Sequence, residues 1–120
     1  MEFQHFETNL AKENEYPKLD RDRVPEIIKE KTGKEAKTRI LTDDVEYLEF
    51  LLKKMEEEAY ELAHAEGRYH LAEEMADVLE VMDALLEING LSWEEIKKIK
   101  QEKAKKRGGF KKRILMLEKA

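Results

Sequence analysis

Two apolar stripes on either side of a short polar break decide most of what this chain can fold into. Val45, Leu48, Leu52, Met55, Ala59 and Leu62 recur at steps of three and four residues, and Leu71, Met75, Val78, Met82 and Leu85 repeat the pattern beyond Gly67. That period belongs to an α-helix burying one face. Thr42 opens the first helix as its capping residue, with Asp43 and Asp44 in the first turn at the positive end of the helix dipole. Gly67 closes the first helix and Asn89-Gly90 the second. Two long helices joined by a few residues run antiparallel and pack side by side.

The flanks read as shorter elements. Pro25 sits in the first turn of a helix through "VPEIIKEKTG" that stops at Thr32-Gly33. Ser92 and Glu95 form a capping box that opens a last helix, "WEEIKKIKQEKAKK", ending at Gly108-Gly109. Residues 1–23 are weakly periodic and read as loop or extended chain with one short helix at most, while the tail "FKKRILMLEKA" is expected to pack back as strand or helix. The expected fold is all-α, a single domain over residues 1–120 with an antiparallel helical hairpin as its core. A hairpin of this size cannot bury both faces of every helix, so self-association is expected to complete it. The absence of cysteine excludes a disulfide scaffold, a thiolate metal site and a cysteine nucleophile. With a polar N-terminus and no long apolar run, the expectation is a cytoplasmic chain with no membrane partner.

Charge is distributed unevenly. Between Asp43 and Glu95 there are 17 acidic residues and 3 basic ones, whereas Lys97 to Arg113 holds 10 basic residues and a single acid, Glu102. Counted outward from the turn, Glu61 and Glu74 stand at one height on the two helices and Glu58 and Asp77 at another, at about 1.5 Å of rise per residue. Glu58 and Glu61 lie beside the first apolar stripe, and Glu74 and Asp77 flank the second. Four carboxylates converging on a half-buried seam resist ionising together. A divalent cation resolves that conflict, and an all-oxygen set with no cysteine or suitably spaced histidine points to magnesium, with manganese as an alternative.

Glu-x-x-Glu (Glu58, Glu61), twelve intervening residues and Glu-x-x-Asp (Glu74, Asp77) resemble the signature of the MazG-like all-α nucleotide pyrophosphohydrolases. "KMEEEAYEL" and "EEMADVLEVMDALL" are similar to the two motif helices of that superfamily, and "KLDRDRVPEII" is similar to the opening of its house-cleaning subgroup. The resemblance implies magnesium-dependent hydrolysis of a nucleoside triphosphate between its α and β phosphates, by a homodimer or homotetramer of helical bundles. Glu58, Glu61, Glu74 and Asp77 would hold the metal, Glu57 would act as general base, and Lys103, Arg107 and, more weakly, Arg21 would contact phosphate. Phosphoribosyl-ATP is the runner-up substrate. Two readings outside catalysis remain: a nucleic-acid-binding module using the basic end, which the acidic hairpin disfavours, and a helical scaffold for a partner.

Overall fold

A computed structural model of the chain describes residues 16–120, and among them it contains four α-helices and no strand. Residues 1–15, where the polar N-terminus and much of the 1–23 segment fall, lie outside the described residues. The helices are α1 (Val24–Thr32), α2 (Asp44–Ala63), α3 (Arg68–Ile88) and α4 (Trp93–Arg107). Each expected helix is therefore present, and the chemistry at its ends explains where it stops. Pro25 occupies the first turn of α1, and Gly33 ends that helix at φ 72°, a left-handed conformation that a side chain would disfavour. Ser92 Oγ accepts the Glu95 N–H at 3.2 Å to open α4. Residues 16–23 form no helix.

Two boundaries differ from expectation. The capping residue of α2 is Asp43, not Thr42: its extended backbone lets Oδ2 accept the Glu46 N–H at 3.3 Å. Arg39 reinforces this end with two hydrogen bonds to the Glu46 carboxylate, at 2.8 and 3.0 Å. Asp43→Ala is expected to cost about 1 kcal/mol in a urea unfolding titration, and Thr42→Ala close to nothing. At its other end α2 stops at Ala63, several residues short of Gly67, because the His64 N–H already turns onto the carbonyls of Tyr60 and Glu61.

Among the described residues, α2 and α3 form the one extensive helix pair. Their most buried aliphatic positions are not stripe residues, although Leu48, Met55, Leu62, Val78, Met82 and Leu85 of the stripes are half-buried. The buried aliphatic side chains are Leu51, Val81 and Leu86, whereas Val45, Leu52, Met75 and Leu79 remain half exposed or more. Periodicity correctly marks helices with apolar faces, but part of each face looks outward. The tail corrects a second expectation: residues 108–120 adopt neither helix nor strand, and Phe110 and Leu117 are 97% and 87% exposed. The Cα radius of gyration of 17.9 Å exceeds the roughly 14 Å of a compact chain this long. No described helix is long and apolar enough to cross a membrane.

Candidate metal centre

The antiparallel pairing of α2 and α3 brings together carboxylates from opposite sides of the turn. Glu58 on α2 and Glu74 and Asp77 on α3 each offer an oxygen within 4.8 Å of the others, and all three side chains are half-buried. Glu74 and Asp77 are three residues apart and so share a face of α3. Glu61, the fourth carboxylate of the expected set, is half-buried one turn beyond Glu58 on α2 and is not among these three.

The trio is set in a ring of cations. The Arg21 guanidinium donates to Asp77 Oδ1 at 2.7 Å, and the Lys54 ammonium stands 3.6 Å from Glu58 Oε1. His70 Nδ1 accepts the Glu66 N–H, which leaves the Nε2 hydrogen to donate to Glu74 Oε1 at 3.2 Å. Arg21 thus reaches the acidic site from the N-terminal segment, while Lys103 and Arg107 are exposed on α4 and form no ion pair among the described residues.

Glu57 stands apart from the trio. An exposed side chain was the alternative to a base at this position, yet Glu57 is 4% exposed and is the one buried charged residue among those described. Lys18 lies 3.6 Å from Oε1 and Lys54 3.4 Å from Oε2, and Lys54 also approaches Asp20 at 3.8 Å. Lys54 therefore couples Glu57 to Glu58. The i to i+4 spacing of Lys54 with Glu58 and of His70 with Glu74 was visible in sequence; the reach of Lys18, Asp20 and Arg21 across to the hairpin was not.

Electrostatics separate Glu58 from its neighbours. Burial pushes its carboxyl above the usual range, Lys54 draws it back, and the charges of Asp77, Glu57 and Glu74 push it up again. A proton or a cation is therefore favoured there, and a half-buried set of three hard oxygens fits magnesium or manganese better than zinc. Because the folded state holds the Glu58 proton more tightly than the unfolded chain does, stability falls as pH rises from the ordinary carboxylate range through the raised value. Glu58→Gln is expected to raise the melting temperature in chelator by a few degrees at pH 7.5 and by progressively less toward the ordinary carboxylate range. Lys54 retains Glu57 and Asp20 in that variant. Differential scanning calorimetry across pH measures the difference, and a gain that grows on acidification would contradict the assignment.

Comparison with protein-family models, with curated proteins and with solved structures returned no match.

Proposed function

We propose that the protein is a magnesium-dependent nucleoside triphosphate pyrophosphohydrolase that cleaves between the α and β phosphates, releasing a nucleoside monophosphate and pyrophosphate. The carrying observation is the convergence of Glu58, Glu74 and Asp77 across the hairpin, where three half-buried oxygens meet within 4.8 Å. The motif resemblance supplies the reaction class, including a house-cleaning role on non-canonical nucleotides; the geometry supports a cation at those three side chains.

Magnesium bound there supplies charge neutralisation and polarisation at the phosphate oxygens. The remaining roles fall to the chain. Glu58, Glu74 and Asp77 would hold the cation. Arg21, already at the rim on Asp77, exchanges that partner for a phosphate oxygen and lends a planar, two-pronged donor. Glu57, buried against Lys18 and Lys54, is the candidate base for the attacking water, and Lys54 links it to Glu58 of the trio. Lys103 and Arg107 act as phosphate contacts from α4 of a neighbouring subunit in a homodimer or homotetramer.

Pyrophosphate release from a panel of normal and modified nucleoside triphosphates and phosphoribosyl-ATP, with magnesium and with chelator, tests this reading. Magnesium-dependent release from a triphosphate supports it, and release from phosphoribosyl-ATP alone transfers the activity to that substrate. Absence of both turnover and magnesium binding would remove the acidic site as a catalytic centre.

A further inference from the structure

We propose that the C-terminal segment from Phe110 to Leu117 of one chain docks into the apolar groove of a second copy, so that the two chains exchange tails. The groove has a volume of about 390 Å³ and lies between α2, α3 and the start of α4, walled by Leu48, Leu52, Met82, Leu85, Leu91 and Ile96. It has room for a few aliphatic side chains. The tail offers them: Ile114, Leu115, Met116 and Leu117 are consecutive and between 72% and 87% exposed. Four adjacent aliphatic side chains left in water form a patch that soluble surfaces avoid unless it is covered.

Charge matches the two surfaces. The tail enters its apolar run through Lys111, Lys112 and Arg113, while the exposed acids Glu49 and Glu87 are next in sequence to the groove residues Leu48 and Leu86, and Asp83, next to Met82, accepts the Trp93 indole N–H. Opposite charges at the rim of an apolar contact set register and partner choice. The direction of the chain favours exchange over closure on itself. Leu91 and Ile96 wall the groove at the beginning of α4, whereas the tail departs from its far end, after 15 residues that rise about 22 Å. A turn closed by the Arg113 N–H on the Phe110 carbonyl at 3.0 Å then redirects the backbone as the aliphatic run begins.

The area is of the right scale. The accessible surface is 11,538 Å², against roughly 6,800 Å² for a compact monomer of this mass. An obligate interface buries about 1,000–2,500 Å² on each partner, so exchanged tails would cover part of that excess. The proposal uses none of the acidic trio, so it stands or falls apart from the catalytic reading.

Sedimentation equilibrium of the full chain tests it first. The wild type is expected at two or more times 14.2 kDa, and Ile114→Asp/Leu117→Asp at half the wild-type mass or less with unchanged helical circular dichroism. Because the chain has no cysteine, Leu52→Cys and Met116→Cys each introduce a unique thiol. A flexible bismaleimide added to a mixture of these two differently tagged single-cysteine chains is expected to join one of each. A monomeric wild type, or a tail variant that keeps the wild-type mass, overturns the proposal. So does a link within a Leu52→Cys/Met116→Cys chain where the two single-cysteine chains are not joined, which would place the tail in its own groove.

Discussion

Replacing Glu74 and Asp77 together by Ala is expected to reduce magnesium-dependent pyrophosphate release by about three orders of magnitude or more while leaving the fold intact. Removing a single electrostatic stabiliser of a transition state typically costs about 10²–10³ in rate, and this variant takes away two of the three oxygens that converge across the hairpin. Retention of the fold follows from the same geometry. Asp77 is 39% exposed at its side chain and its partner Arg21 54%, and His70, the partner of Glu74, is 48% exposed, so breaking both pairs leaves no desolvated charge. Loss of two acids also relieves the repulsion that helps push Glu58 up. Magnesium titration by calorimetry provides the paired readout: turnover within a few-fold of wild type, or an unchanged binding isotherm, would sink the three-carboxylate site.

Glu57→Ala should behave in the opposite way, with its primary effect on stability. Glu57 is 4% exposed and faces Lys18 and Lys54, whose side chains are themselves 11% and 14% exposed. Deleting one member of a buried ion pair strands the other charge and typically costs about 3–5 kcal/mol. Lys54 keeps Glu58 and Asp20 nearby, which places the expected loss at the lower end of that range. Against a total stability of about 5–15 kcal/mol, this is enough to shift a urea midpoint strongly. Glu57→Gln preserves volume and one acceptor and should lose less stability, so a large fall in turnover in this variant with its stability retained isolates the proton-accepting role from the structural one. A Glu57→Ala midpoint equal to wild type would show that this carboxylate anchors nothing.

Much of the architecture is legible in the chain because helix ends are chemically marked. Pro25, Gly33, Ser92 and Gly108 act within a few residues of themselves, and α1 and α4 begin and end beside them. Thr42 and Asp43 are adjacent good caps, and only the backbone conformation decides between them. Which face of α2 meets α3 is harder, since a repeat of three and four describes any apolar face, whether it meets its own neighbour or another chain. Leu51 and Val81 belong to the internal seam; Leu52 and Met75, chosen from the stripes, face largely outward. The acidic site divides along the same line. Counting from the turn brings Glu58, Glu74 and Asp77 together because two helices of known rise leave little freedom. Arg21 and Lys18 were hidden because their placement depends on where an irregular segment crosses α2.

The ordered packing lies between helices that are neighbours in sequence, and this bears on how the protein reaches its working form. Closing short loops between adjacent helices is fast, and chains dominated by such contacts fold in about microseconds to milliseconds. The proposed tail exchange is bimolecular and slows with dilution. Helical content should therefore appear in an early, concentration-independent phase after dilution from denaturant, and protection of the outward-facing stripe in a later phase whose rate rises with protein concentration.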